Sequence, residues 1–118
     1  METEDHAFPP DPRLPQVQAF FTRLTGKEPD LNGMLFLVGV QELGQGLRTF
    51  SKEEKQDLMH IGICTVLAPK GHWVSEGRDA DGWPAYSPAT PMPMLALHEQ
   101  ERYLQTALAD YLEAAGLL

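Results

Sequence analysis

The sequence has 118 residues, of which 42% are hydrophobic and 22% are charged, and its formal net charge is −8. The length fits one domain with a single core, and the composition is typical of a folded, soluble protein rather than a disordered one. The nine Lys and Arg residues are scattered along the chain. Nucleic acids and anionic membranes are bound by clustered positive charge, so the sequence predicts neither as a partner.

Three features of the sequence predict a cytoplasmic protein. Cys64 is the only cysteine, so no disulfide can form within the chain. Residues 1–6 are acidic, whereas a secretory signal peptide begins basic and continues apolar. The longest apolar run, residues 34–40, is far shorter than the roughly 20 residues that span a bilayer.

The chain is expected to begin with a flexible acidic, proline-rich arm over residues 1–13, followed by one helical domain over residues 14–118. The first helix is predicted to start at Pro15, because proline suits the first helical turn, and to end at Gly26. Its apolar residues recur at helical spacing; they are Val17, Phe20, Phe21 and Leu24.

The second and third helices are predicted to form an antiparallel helix hairpin over residues 31–68. Asp30 can cap the second helix. Ser51 and Glu54 form a capping-box pattern that starts the third helix at Lys52.

The second helix carries two unusual patterns. It is apolar on all sides over residues 34–40, which predicts either full burial or an interface between two copies of the chain. Its three glycines predict close approach of a neighbouring backbone, or fraying of the helix after Gly44; they are Gly39, Gly44 and Gly46.

A long connection over residues 69–93 precedes the last helix, which is predicted over about residues 94–115. The connection contains five prolines, yet also Trp73, Trp83 and Tyr86, which argue against a disordered linker. We expect an ordered flap, with at most a short β-hairpin around the turn dipeptide Asp81-Gly82. The predicted fold is therefore an all-α domain of four helices with an aromatic flap.

One row of the third helix carries candidate metal ligands. Asp57, His60 and Cys64 follow one another at helical spacing, and imidazole, thiolate and carboxylate all bind transition metals. The alternative is a solvated charged face with a cysteine that packs. Cys64 as a nucleophile paired with His60 is disfavoured, because a mid-helix, apolar and acidic setting does not produce a thiolate.

A second set of candidates is catalytic. Glu42, His60 and Glu101 would form an acid–base site if they met beneath the flap, since two desolvated carboxylates would share a proton. The alternative is that these polar groups hold the flap by hydrogen bonds. Candidate ligand-binding residues for the same place are Gln41, Trp73, Trp83 and Tyr86.

One further pattern in the sequence has a simpler explanation than a metal site. The segment 79–82 resembles part of a calcium loop, but the carboxylates required at positions 1 and 12 of such a loop are missing, so a turn is expected. None of the nucleophile-elbow, P-loop or dinucleotide-binding motifs occurs.

Two hypotheses of function remain. The first is a non-enzymatic protein-interaction or homodimerisation module that uses residues 34–40 or the last helix. The second is a small enzyme, or a ligand- or metal-binding protein, with a site between the helix hairpin over residues 31–68 and the flap over residues 69–93. No cofactor is predicted, and the absence of a catalytic motif favours the first hypothesis.

Overall fold

The computed structural model describes residues 9–118, and its elements follow in the order that the sequence predicts. They are α1 (Leu14–Thr25), α2 (Leu31–Leu43), α3 (Lys52–Leu67), a 3₁₀ turn (Ala68–Lys70), β1 (Trp73–Arg78), β2 (Pro84–Pro88) and α4 (Leu97–Ala114). The helix-dominated fold is confirmed. The all-α description is extended by a two-stranded antiparallel sheet, which is the short hairpin considered for the flap.

The described chain divides into two compact units. One contains the described residues up to Pro29 together with Pro93–Leu118, and the other is Asp30–Met92. Residues 1–8 of the predicted arm lie outside the described residues.

The first unit contains α1 and α4. Gly26 ends α1 in the left-handed conformation, with φ 78°, and its N–H donates to Thr22 O at 2.7 Å. Val17 and Phe21 of α1 and Leu108 and Leu112 of α4 are buried. They form the apolar interior of this unit.

Arg13 ties the start of α1 to the end of α4. Its guanidinium donates to Asp11 Oδ2 and to Asp110 Oδ1, each at 2.8 Å, and to Glu113 Oε1 at 3.0 Å. The last residues of the predicted arm are therefore held against the folded unit.

The helix hairpin in the second unit is defined by its caps. Asp30 Oδ1 accepts from Gly33 N at 2.8 Å at the start of α2. The capping box of α3 is formed in both directions, between Ser51 and Glu54. Helix α2 ends at Leu43 because Gly44 adopts the left-handed conformation, with φ 79°.

The two helices cross with their backbones in contact. A Cβ atom at Gly39 would lie closer than 3.0 Å to the backbone of Leu58, and one at Gly62 would collide in the same way with Leu35. Only glycine leaves room for such an approach. The close neighbour predicted for the glycines of α2 is thus α3, at Gly39.

The hairpin β1–β2 pairs Trp73 with Pro88 and Ser75 with Tyr86, and its register shifts between Ser75 and Arg78. Gly77, with φ 83°, lies at this irregularity. Trp83 and Tyr86 pack against the buried cluster of the helix hairpin, formed by Val40, Leu43, Phe50, Leu58 and Ile61. The flap is an ordered part of the second unit.

Candidate functional site

Arg78 fastens the β-hairpin to the end of α2. Its guanidinium donates to Glu42 O at 2.8 Å, to Leu43 O at 3.3 Å and to Gly82 O at 2.7 Å. The last carbonyls of a helix have no partner within the helix and carry its negative partial charge. A cation from the hairpin therefore satisfies them and stabilises the end of α2.

Further contacts hold the hairpin against α3. Tyr86 Oη lies 3.1 Å from Thr65 Oγ1, and the Trp73 ring meets His60 edge to face at 5.2 Å between centroids. At the base of the hairpin, buried His72 bonds through Nδ1 to Thr90 O at 2.9 Å. These bonds fix the position of the aromatic side chains relative to α3.

A cleft opens between α3 and the β-hairpin. It has a volume of about 190 Å³ and is lined by Asp57, His60, Ile61, Asp79, Trp83 and Pro84. We call it the α3–hairpin cleft. Asp57, His60 and Trp83, three of the residues singled out in the sequence, line this one cleft, whereas Glu42 is not part of its lining.

The turn of the hairpin fixes one wall of the cleft. Asp79 Oδ1 accepts from the N–H groups of Asp81 and Trp83, both at 2.9 Å, and Asp79 N donates to Trp83 O at 2.8 Å. The Asp79 carboxylate and the Trp83 backbone are thus held together by a compact Asx turn. The expectation of a turn at residues 79–82 is confirmed.

Asp57 contributes the opposite, helical wall. It is exposed, and it forms no hydrogen bond or ion pair with any other residue that the structure describes. A carboxylate on a helix surface retains its full capacity to accept hydrogen bonds.

Cys64, one turn after His60 on α3, is an unreactive thiol. Its Sγ atom is 3.5 Å from His60 Nε2, and the residue is fully buried. Burial raises the pKa of the Cys64 thiol to about 11, so the thiolate that a nucleophile needs is scarce at neutral pH. Within residues 9–118, no three His, Cys, Asp or Glu side chains come together as a metal-binding set.

The remaining candidates are not among the residues that line the cleft. Glu42 is half-buried at the end of α2, where its carbonyl accepts from Arg78, and Gln41 beside it is exposed. Glu101 is exposed on α4 and belongs to the other unit. Among the predicted ligand-binding residues, Trp73 contacts His60 and Tyr86 contacts Thr65, so both support the wall of the cleft rather than line it.

Two residues of the site were not predicted from the sequence: Arg78, which attaches the hairpin to α2, and Asp79, which lines the cleft. Asp79 was noticed only within a calcium-loop pattern. The available signal was an aspartate four residues before Trp83, in a position to accept from the backbone of a turn. Nothing local to Arg78 indicates that it reaches a helix more than 30 residues earlier.

Most of the apolar positions of α2 are buried. Met34, Leu35, Val38 and Val40 are between 1% and 7% exposed. Phe36 and Leu37 of the same stretch are partly exposed.

Comparison of the chain with protein-family models, with curated proteins and with solved structures returned no match in any of the three. In the portion that the structure describes, no helix combines the length and apolarity needed to cross a bilayer.

Proposed function

We propose that the chain is a non-enzymatic protein-interaction module that binds its partner through the α3–hairpin cleft. The observation that carries the proposal is the size of the cleft together with its lining. Its volume of about 190 Å³ is below the roughly 300–1,000 Å³ of pockets that enclose small molecules. It suits a single side chain of a partner.

The lining supports the same proposal. Trp83 offers a large, rigid apolar surface of the kind found at the centres of protein interfaces, and the carboxylates of Asp57 and Asp79 provide polar recognition at its sides. The high pKa of Cys64 counts against the alternative of a thiol-based enzyme at this place.

Selection of random 12-residue peptides displayed on phage tests the proposal. Enriched peptides are synthesised and titrated into ¹⁵N-labelled protein. We expect the indole N–H resonance of Trp83 and the amide resonances of Asp57 and Ile61 to shift more than the resonances of residues that do not line the cleft. Failure to enrich any peptide, or shifts confined to residues away from the cleft, would overturn the proposal.

A further inference from the structure

The α3–hairpin cleft carries an excess of negative charge. Asp57 and Asp79 both line it, and the chain as a whole has a net charge of −8. Arg78 is the neighbour of Asp79 in sequence, but its guanidinium is directed to the carbonyls of Glu42, Leu43 and Gly82. Three of its hydrogen bonds are thus made to backbone carbonyls of the helix end and the turn.

Both carboxylates retain room for a cationic group. An ionised carboxylate has about four acceptor positions, and the Asx turn uses Asp79 Oδ1 for two backbone N–H groups. Asp57 has no bonding partner among residues 9–118. A planar group with several N–H donors, such as a guanidinium, would bond to either carboxylate at its remaining acceptor positions.

Trp83 lines the same cleft and is partly buried. Cations bind the faces of aromatic rings, tryptophan best of all. A guanidinium does so better than an ammonium, since it is planar, stacks on the ring and still presents its donors at its edge. Two hydrogen bonds join Asp79 to Trp83, from Trp83 N–H to Asp79 Oδ1 and from Asp79 N–H to Trp83 O, and they hold the Asp79 carboxylate against the Trp83 backbone. A carboxylate that is already held in place lowers the entropic cost of binding.

From these features we infer that the α3–hairpin cleft receives an arginine side chain of a partner protein, stacked on Trp83 and paired with Asp57 and Asp79. This inference rests on the proposed function and names the chemistry of its partner. The cleft recognises a basic segment, and the acidic surface of the module attracts that segment before contact is made.

Short synthetic peptides test the inference without knowledge of the partner. The probe is acetyl-Gly-Arg-Gly-amide, and its matched control carries citrulline, which has nearly the same shape but no charge. Binding is followed by the Trp83 indole N–H resonance. We expect the arginine peptide to bind at least about tenfold more tightly than the citrulline peptide, from the combined loss of the cation–π and ionic contacts, and more weakly at high salt.

Two variants with the same change of net charge separate a local from a general effect. Asp57→Lys places a positive charge in the cleft, and we expect it to weaken binding at least about tenfold. Glu101→Lys makes the same change of charge at an exposed residue that does not line the cleft, and we expect binding within about twofold of the wild type. Because Asp57 is exposed and unpartnered in the described structure, both variants should keep the melting temperature of the wild type.

The outcomes distinguish the inference from the proposed function. Equal binding of the arginine and citrulline peptides, or equal loss in the two variants, would overturn the arginine site. If selected peptides shift the Trp83 resonance while the arginine peptide does not, the arginine site is wrong and the interaction module stands. If no peptide of either kind reaches the cleft, both are wrong.

Discussion

Cys64 links the packing of α3 to the behaviour of the protein at alkaline pH. Burial raises the pKa of its thiol from 9.0 in the unfolded chain to about 11. A raised pKa in the folded state contributes stability below pH 9 that is lost as the pH rises toward 11, because the unfolded state then releases its proton first. The thiol should also react slowly with alkylating reagents until the protein unfolds.

We therefore expect the difference in free energy of unfolding between wild type and Cys64→Ala to be constant below pH 9 and to narrow from pH 9 to 11. Urea titrations at a series of pH values measure it. Tyrosine and lysine residues titrate in both proteins, so their contributions cancel when the two free energies of unfolding are compared at the same pH. Parallel pH profiles would contradict the buried, protonated thiol.

Asp11 behaves in the opposite sense at acid pH. Its hydrogen bonds with Arg13 lower the pKa of the carboxyl group from 3.8 to about 2. A lowered pKa contributes stability above pH 3.8 that is lost as the pH falls toward 2. Because the Arg13 side chain is partly exposed to solvent, we expect the contribution to be about 1 kcal/mol.

Asp11→Asn should accordingly cost about 1 kcal/mol at neutral pH and nothing near pH 2, as measured by urea unfolding. Asp57→Asn is the matched control, since Asp57 has no partner among the described residues. It should cost little at either pH. An Asp11→Asn variant as stable as the wild type at pH 7 would show that the Arg13 contacts do not stabilise the first unit.

The crossing of α2 and α3 reverses the usual effect on stability of replacing a helical glycine with alanine. Replacing a helical glycine with alanine normally stabilises a helix by about 1 kcal/mol. At Gly39 and Gly62 the added methyl group would meet the backbone of the other helix, which cannot move aside as a side chain does.

We expect Gly39→Ala and Gly62→Ala each to lower the free energy of unfolding by about 3 kcal/mol, measured by urea denaturation. Gln41→Ala, at an exposed position of the same helix, should change it by less than about 0.5 kcal/mol. A stabilised Gly39→Ala variant would mean that the two helices do not touch at this point.

The attachment of the β-hairpin to α2 depends on one residue. Arg78→Gln removes the guanidinium that donates hydrogen bonds to the carbonyls of Glu42 and Leu43. We expect amide hydrogen exchange in the last turn of α2 and in β1 to accelerate roughly fivefold, equivalent to about 1 kcal/mol of local stability. Arg23→Gln, an exposed arginine of α1, is the control and should leave these rates unchanged. Unaltered exchange in Arg78→Gln would exclude the fastening role.

For the whole molecule, what could be predicted from the sequence was local. Asp30 and the Ser51–Glu54 capping box placed the starts of α2 and α3, because caps bond to the backbone within three residues. The hairpin was foreseen from its turn dipeptide. The start of α4 was placed three residues too early, at about Met94 rather than Leu97, since neither Pro93 nor Met94 gives a decisive capping signal.

The candidate site was predicted in part. Asp57, His60 and Trp83 were named, but assigned to separate metal and ligand sets rather than to one cleft. Whether Glu42 and Glu101 would join them depended on how distant elements pack, which no periodicity encodes. The same holds for Arg78, whose partners are 35 and 36 residues away in sequence.

Both tryptophans of the protein, Trp73 and Trp83, belong to the β-hairpin region of the second unit. Fluorescence excited selectively in tryptophan therefore originates in that unit, whereas far-ultraviolet circular dichroism sums the helices of both. Superimposed melting curves from the two signals would show that the units unfold together. Two separated midpoints would reveal a molecule with two independent folding transitions, and the fluorescent transition alone would respond to an occupant of the cleft.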